Sequence, residues 1–301
     1  LALPLFHIYA LNVVLGLTIK MGATAVLVER FDPEETLDLI ARHGVTVACG
    51  APPMFSAWLA AAGAGSNAGL SSVRLAVSGA APLPGAVMEA FRERFGVTIW
   101  EGYGLTETAP AVTSNALGAE AKPDSIGLPL PGLEVRLIDD HTGEDVEEGD
   151  PGEIWVRGPN VFAGYWNRPE ATAEVLDAEG WLRTGDVAYR DEDGYLFIVD
   201  RTKDLIIVSG FNVFPKEVED AIERHPKVAE VAVVGVADER TGEAVQAWVV
   251  PAEGQSVTPQ EILEFLQDKL ARFKLPRDVE IVEELPHHAT GKVLRRLLRD
   301  R

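Results

Sequence analysis

Two short segments of the chain combine small residues with groups that could bind a nucleotide. Residues 78–82 read Ser-Gly-Ala-Ala-Pro, whose small side chains would let a flat ring approach the backbone. Residues 101–108 offer an aromatic face, hydroxyl groups and a carboxylate. Stacking by Tyr103, phosphate contact by Thr106 and cation contact by Glu107 are interactions that a nucleotide with Mg²⁺ would use. Each segment by itself is also typical of an ordinary turn or loop.

A third segment, residues 181–186, predicts a glycine turn that fixes the carboxylate of Asp186. The two carboxylate oxygens match the adjacent hydroxyls of a ribose, a task that an acidic residue performs in dinucleotide folds. An aspartate in a turn is more often a local cap. This segment therefore indicates a nucleotide site only in combination with the first two.

The elements that would position these segments alternate between strands and capped helices. Asp32, Pro33 and Glu35 combine an N-cap, a first-turn proline and a capping-box acid, and therefore predict a helix start. Residues 84–95 predict a second helix, closed by Gly96. Short β-branched runs predict strands over residues 23–28, 45–48, 73–77 and 97–100. The alternation predicts an α/β fold, part of a doubly wound and mostly parallel sheet, with the first two segments at its carboxyl edge.

The pattern changes twice along the rest of the chain. From about residue 129 to residue 200, strand-like alternation predicts a β-rich subdomain, and we expect residues 1–200 to be the C-terminal part of a large domain. The polar residues 201–203 separate two short strands and predict a hinge. Residues 204–301 carry a core pattern of their own and predict a small α+β domain. Its clearest signal is a capping box, Thr258 to Glu261, which opens a helix predicted to reach about residue 270.

Composition excludes several classes of function. The formal net charge of −20 argues against nucleic acid as a partner, because binding to nucleic acid requires basic faces. The single cysteine, Cys49, excludes an intrachain disulfide framework and favours the reducing cytoplasm. Residues 1–19 carry no acidic or basic side chain, but Pro4, His7 and Asn12 interrupt the run. We therefore expect a buried element there, and no integral membrane segment.

Four motifs occur in the order found in adenylate-forming enzymes. They are residues 103–107 (Tyr-Gly-Leu-Thr-Glu), 184–186 (Thr-Gly-Asp), 200–204 (Asp-Arg-Thr-Lys-Asp) and 290–292 (Thr-Gly-Lys), and residues 6–11 match upstream. Over essentially its whole length the chain resembles this AMP-binding superfamily, most closely its fatty acyl and 4-coumarate CoA ligases. The resemblance implies an ATP-dependent acid:CoA ligase that forms an acyl-adenylate and then a thioester. ATP, Mg²⁺ and coenzyme A would be its cofactors, and a carboxylic acid, with a fatty acid favoured, its substrate.

The resemblance also implies roles for individual residues. Lys292, Thr106 and Glu107 would be catalytic, with Glu107 near the metal, and Lys203 would be the hinge of a mobile C-terminal domain. Glu101 would lie near the adenine amino group, Asp186 and Arg201 would hold the ribose, and Gly210 would let pantetheine pass. The full set of implied cofactor-binding residues is Ala80, Ala81, Pro82, Glu101, Tyr103, Asp186, Arg201 and Gly210. The implied acyl pocket is mostly small or apolar, and comprises His7, Tyr9, Gly79, Gly104 and Ala111.

Two departures from the family pattern leave alternatives open. The Ser/Thr/Gly-rich phosphate loop, which normally lies upstream of residues 6–7, is absent from these 301 residues. We therefore expect an N-terminally truncated member that is inactive in adenylation by itself. Ile207 and Asn212 stand where 4-coumarate ligases carry lysine and glutamine, which disfavours an aryl acid CoA ligase. That ligase, an adenylation domain loading a carrier protein, and a non-catalytic remnant remain the alternatives. No residue pattern indicates an oligomeric state.

Overall fold

A computed structural model of the chain describes residues 1–62, 70–139, 142–201, 204–287 and 293–299. Two compact units are formed. The first comprises Leu1–Thr184 and Ala188–Ile198, and the second comprises Gly185–Val187 and Val199–Arg301. The predicted hinge at residues 201–203 remains a prediction, because residues 202–203 lie outside the described ranges and of Arg201 only the backbone is described.

A five-stranded sheet organises the first unit. Its strands, in spatial order, are β1 (Val47–Gly50), β2 (Leu75–Ser78), β3 (Ile99–Gly104), β4 (Ala111–Ser114) and β5 (Leu128–Pro129). The first three are parallel, whereas β4 runs antiparallel to both β3 and β5. The predicted α/β class is confirmed. The strand predicted over residues 23–28 is wrong, because this segment joins no ladder and the Val28 N–H bonds to the Leu1 carbonyl at 3.2 Å.

The helices of the first unit are α1 (Leu17–Lys20), α2 (Pro33–His43), α3 (Pro52–Ala61), α4 (Gly85–Phe95) and α5 (Pro169–Val175), and Tyr9–Gly16 forms a π-helix before α1. Of these, α2, α3 and α4 contribute buried side chains to the core beside the sheet, whereas α1 and α5 have no buried residues. The predicted start of α2 is confirmed, since the Glu35 N–H donates to Asp32 Oδ1 at 2.9 Å. The sequence did not predict α3, whose apolar residues show no one-sided period. Phe55 of α3 meets Phe91 of α4 edge to face, with ring centroids 5.3 Å apart.

A four-stranded sheet forms the predicted β-rich region. Its strands, in spatial order, are β6 (Glu134–Ile138), β7 (Gly152–Arg157), β8 (Leu182–Arg190) and β9 (Leu196–Arg201). The glycine turn predicted at residues 181–186 is wrong, because residues 182–186 lie within β8. Gly185 has a φ of +72°, so it bends a strand that continues on both sides. Gly185 therefore adopts a conformation that favours glycine, as a glycine turn requires, but it does so within a strand and not in a turn.

The second unit is built around another sheet. Its elements are β10 (Ile206–Val208), β11 (Phe211–Val213), α6 (Pro215–Glu223), β12 (Val228–Asp238), β13 (Gly242–Pro251), α7 (Pro259–Leu266), β14 (Asp278–Ile281) and α8 (Arg296–Arg299). The strand order is β11-β10-β13-β12, and β14 pairs in parallel with β13. The predicted capping box is confirmed, because the Thr258 N–H donates to Glu261 Oε2 at 2.8 Å. The helix ends at Leu266, four residues short of the predicted end at residue 270. Beyond Leu266 the Lys269 N–H donates to the Leu266 carbonyl, three residues back, and the chain forms a tighter turn.

No helix within the described ranges is both long enough and apolar enough to cross a lipid bilayer.

Candidate functional site

Two of the predicted nucleotide-binding segments meet at the carboxyl edge of the first sheet. Strands β2 and β3 are adjacent and parallel, and Ser78 at the end of β2 pairs with Glu101 in β3. The turn that follows β2, residues 79–83, therefore lies beside residues 101–104. Ligands of open α/β sheets bind at this edge, because the loops that follow parallel strands converge there.

A buried carboxyl group holds the 79–83 turn in place. Glu101 is only 4% exposed, and its Oε1 accepts a hydrogen bond from the Leu83 N–H at 3.1 Å. Ala80 adopts a φ of +75° and is exposed, so the turn is open to solvent at this position. Burial raises the pKa of Glu101 to about 8, the Leu83 hydrogen bond opposes this rise, and the charge of Asp124 adds to it.

This raised pKa predicts a loss of stability as the pH increases. Folded Glu101 keeps its proton up to about pH 8, whereas the unfolded side chain releases it near 4.5, so the folded state binds more protons between these values. The contribution of Glu101 to the free energy of unfolding is therefore complete below about pH 4.5, decreases as the pH rises, and is lost above about pH 8. Relative to Glu101→Gln, which preserves the acceptor, the wild-type chain should lose up to roughly 3 kcal/mol between about pH 5 and pH 9.

Urea unfolding at several pH values measures this difference directly. Glu93→Gln, on an exposed position of α4, is the matched control and should follow the wild-type profile. Parallel pH profiles for the wild type and Glu101→Gln would show that burial of Glu101 has no energetic effect.

The segment after β3 is held in a tight loop by contacts to its own backbone. A β-carbon placed on Gly104 would lie 1.7 Å from the carbonyl oxygen of Pro110, so only glycine fits there. The Leu105 N–H donates both to that same oxygen at 2.9 Å and to Thr108 Oγ1 at 3.0 Å. Thr106–Thr108 forms a 3₁₀ turn, in which Thr106 is exposed and Glu107 is half-buried. The loop therefore presents the Thr106 hydroxyl and the Glu107 carboxylate from a rigid base.

The residues of the predicted acyl pocket form two contacting pairs. A β-carbon on Gly79 would lie 3.4 Å from the ring of Tyr9, and Gly104 pairs with Ala111 across β3 and β4. Tyr9 is buried, and its hydroxyl donates to the Val77 carbonyl at 2.9 Å. Burial, followed by the neighbouring Cys49, raises the pKa of Tyr9 well above its ordinary value. Tyr9 is therefore a fixed, neutral wall at Gly79.

His7 lies beside this wall in the chain. Its Nδ1 accepts a hydrogen bond from the Tyr9 N–H at 3.2 Å, and the side chain is partly exposed. Tyr103 is also partly exposed, near the end of β3, where its ring could stack on a base. Ala81 is partly exposed and Pro82 is exposed in the 79–83 turn.

Sequence reasoning missed two residues that contact the 104–111 loop from a distant segment. Tyr165 donates its hydroxyl hydrogen to Glu107 Oε1 at 2.8 Å. Asn160 Nδ2 donates to the carbonyls of Thr108 and Ala111, both at 2.8 Å. No periodicity or spacing rule links positions so far apart in the chain, so the sequence contained no signal for these contacts.

The remaining predicted site residues belong to the second unit. Asp186 is buried within β8. Gly210 has a φ of +85° and follows Ser209, with a φ of +52°, in the two-residue turn between β10 and β11. That turn type by itself favours glycine, so passage of pantetheine remains a prediction. Arg201 ends β9, its side chain is outside the description, and Lys203 and Lys292 lie outside the described residues.

Two protein-family models match this chain and show the family that its motifs indicated. Residues 1–166 match the family model described as AMP-binding enzyme, and residues 217–292 match the AMP-binding enzyme C-terminal domain. The chain belongs to the AMP-binding enzyme family. The predicted family resemblance is thereby confirmed.

Individual relatives of this AMP-binding enzyme are CoA ligases. A long-chain-fatty-acid–CoA ligase of Yersinia pestis is 46% identical over 99% of the chain and 53% of the relative, and one of Bacillus subtilis is 42% identical over 98% and 52%. A feruloyl-CoA synthase of Amycolatopsis is 44% identical over 100% of the chain and 60% of the relative. The chain spans about half the length of the curated relatives it matches.

Solved structures show the same fold. ATP-bound MatB from Rhodopseudomonas palustris superimposes with a TM-score of 0.93 at 38% identity, covering 99% of this chain and 59% of MatB. The o-succinylbenzoate CoA synthetase of Bacillus subtilis, in complex with its acyl-adenylate intermediate, gives a TM-score of 0.88 at 35% identity, with 100% and 60% covered.

One described side chain of this AMP-binding enzyme would suit a magnesium ion that is held jointly with a nucleotide. Within the part of the chain that the structure describes, no cluster of three or more His, Cys, Asp or Glu side chains could hold a metal by itself. Mg²⁺ in nucleotide sites is typically bound by one or two carboxylates together with substrate phosphates and water. The half-buried Glu107 carboxylate on its rigid loop is a donor of that kind.

Proposed function

We propose that the full-length gene product is an ATP-dependent acid:CoA ligase that acts on a fatty acid. The observation that carries the proposal is the meeting of the 79–83 turn with residues 101–107 at one sheet edge. This arrangement supplies a backbone surface and an aromatic ring for a base, beside a hydroxyl and a carboxylate for phosphate and metal. The 42% and 46% identity to two long-chain-fatty-acid–CoA ligases supports the same reaction. A cytoplasmic location forms part of the proposal.

The first step would join the acid to AMP. A carboxylate oxygen of the acid attacks the α-phosphorus of ATP, and the bond to the bridging oxygen breaks, so pyrophosphate leaves with the bonding electrons. Mg²⁺ would neutralise charge on the phosphate oxygens. In this proposal Glu107 binds the ion and Thr106 contacts phosphate. Lys292 contacts ATP and the acid, because charge that develops on phosphoryl oxygens requires fixed cations.

The second step would transfer the acyl group to coenzyme A. The thiol sulfur attacks the acyl carbon, AMP leaves as the anion, and the thiol proton is released. In this proposal residues 1–200 hold the nucleotide through the 79–83 turn, Tyr103 and Asp186, and Arg201 of the hinge segment holds the ribose together with Asp186. Residues 204–301 form a mobile domain that turns about Lys203 and brings Gly210 to the pantetheine arm.

Two classes of acid have specific support. The implied pocket residues Tyr9, Gly79, Gly104 and Ala111 are mostly small or apolar, which favours an alkyl chain. His7 is the polar member of the set. An aryl acid is the second candidate, because the feruloyl-CoA synthase is 44% identical over the whole chain. Ile207 and Asn212 differ from the residues of 4-coumarate ligases and support the fatty acid.

An assay of the full-length gene product tests the proposal. With ATP, Mg²⁺, coenzyme A and either palmitate, octanoate or ferulate, mass spectrometry should detect acyl-CoA and AMP, with kcat/KM for a fatty acid at least about tenfold above ferulate. Activity on ferulate alone would support the aryl acid ligase, and no thioester from any acid would refute a CoA ligase. The 301-residue chain alone should not catalyse pyrophosphate exchange, because it contains no phosphate loop. Robust exchange would overturn that expectation.

A further inference from the structure

The segment of residues 160–165, between β7 and α5, holds the loop that carries Glu107. Four hydrogen bonds of 2.8 Å join the two, and all of them are donated by this segment. Asn160 donates two to main-chain carbonyls, and the Phe162 N–H donates to the carbonyl of Glu107 itself. Tyr165 donates to the Glu107 side chain. The last contact differs in kind, because it fixes the carboxylate and not the backbone.

Tyr165 is itself held in position, although its side chain is on the surface. Its N–H donates to Thr172 Oγ1 of α5 at 2.9 Å, and its ring meets that of Phe162 edge to face at 4.9 Å. Gly164 has a φ of +133°, and a β-carbon there would lie 2.7 Å from the Thr172 methyl group. The close approach of Gly164 to α5 therefore fixes the backbone from which the Tyr165 side chain projects.

We propose that Tyr165 is a positioning residue for the magnesium ligand Glu107, whose Oε1 it holds so that Oε2 is left for the cation. The inference rests on the proposed function, which assigns the cation to Glu107. Among the described residues, Tyr165 makes the one hydrogen bond found for the Glu107 carboxylate. A glutamate next to solvent otherwise samples several rotamers, and this freedom is lost when it binds an ion.

The chemistry of the pair suits this role. A hydrogen bond from a neutral phenol to a carboxylate is charge-assisted and therefore stronger than one between neutral groups. A tyrosine phenol ordinarily loses its proton only near pH 10, so this hydroxyl remains a donor throughout the pH range of an enzyme assay. Partners that orient a metal ligand typically change metal affinity about 10- to 100-fold when removed.

The variant Tyr165→Phe removes the hydroxyl and retains the ring that packs on Phe162. In the full-length gene product, at saturating ATP and acid, the half-saturating Mg²⁺ concentration should rise about tenfold. The kcat at saturating Mg²⁺ should stay within about twofold, because the ion restores the carboxylate geometry once bound. Tyr195→Phe is the matched control: its hydroxyl donates to the Glu120 carbonyl at 2.9 Å, away from Glu107, and its Mg²⁺ dependence should match wild type. An unchanged Mg²⁺ dependence in Tyr165→Phe overturns the inference.

A binding measurement separates this inference from the proposed function. Mn²⁺ affinity in the presence of ATP is measured by electron paramagnetic resonance for wild type, Tyr165→Phe and Glu107→Gln. Weaker Mn²⁺ binding in both variants supports the positioning role even if no acid is adenylated, in which case only the proposed reaction fails. Equal Mn²⁺ affinity in wild type and Tyr165→Phe overturns the positioning role, whatever the activity.

Discussion

Replacing Lys292 with alanine in the full-length gene product is expected to reduce acyl-adenylate formation by about a hundredfold or more. Thioester formation from supplied acyl-adenylate and coenzyme A should be comparatively intact. The difference arises because negative charge grows on the phosphoryl oxygens only while pyrophosphate leaves, and a positioned cation stabilises that charge. In the second step AMP is already a good leaving group. Pyrophosphate exchange measures the first step, and release of AMP from added acyl-adenylate measures the second.

A second lysine of the same unit provides the control for this experiment. Lys269 is exposed after α7, where its Nζ donates to the Phe265 carbonyl at 2.7 Å, and Lys269→Ala should leave both steps unchanged. Equal loss of both half-reactions in Lys292→Ala would refute the proposed division of labour. Loss of the second step alone would assign the lysine to thioester formation.

The largest effect on stability is expected at Arg295, which neutralises three acidic side chains of the second unit. Its Nη2 lies 2.6 Å from Glu219 Oε2, and its Nη1 lies 3.8 Å from Asp204 and 3.9 Å from Asp200. Asp200 and Glu219 are buried, so the guanidinium of Arg295 offsets part of the cost of burying their charges. Burial tends to lower the pKa of Arg295, but the charges and hydrogen bond of Glu219, with Asp200 and Asp204, raise it above the ordinary value.

Arg295→Met should therefore destabilise the second unit by about 3 to 5 kcal/mol, because it removes the positive charge that lies beside the buried carboxylates. Urea unfolding gives the magnitude, and hydrogen exchange of β12 and β13 amides assigns the effect to this unit. Arg299→Met is the control, because Arg299 pairs with the single carboxylate of Asp204 among the described residues, at 3.0 Å, and is more exposed than Arg295. This variant should cost less than about 1 kcal/mol. Equal losses from the two variants would contradict the importance of the buried cluster.

Local chemistry explains the elements that sequence reasoning placed correctly. The hydrogen bonds of the N-cap Asp32 and of the capping box at Thr258 join residues that are three apart in the chain. A short stretch of sequence is therefore enough to predict them. Gly96 closes α4 with a φ of +68°, as its position after an amphipathic run predicts. By contrast, α3 was missed because it is apolar on several sides and shows no amphipathic pattern. Residues 23–28 were wrongly predicted as a strand, because a strand requires a neighbouring strand to pair with and the propensity of its residues does not provide one.

The sequence by itself determined the family, the α/β class and the candidate nucleotide segments, because motif order and residue type are properties of the sequence alone. Only the tertiary structure decided how those segments work. It placed Leu83 on the Glu101 carboxyl, brought Pro110 against Gly104, and set Tyr165 on Glu107 across 58 residues of chain. Contacts of this kind depend on which strands and connections become neighbours, and no spacing within one segment records that choice.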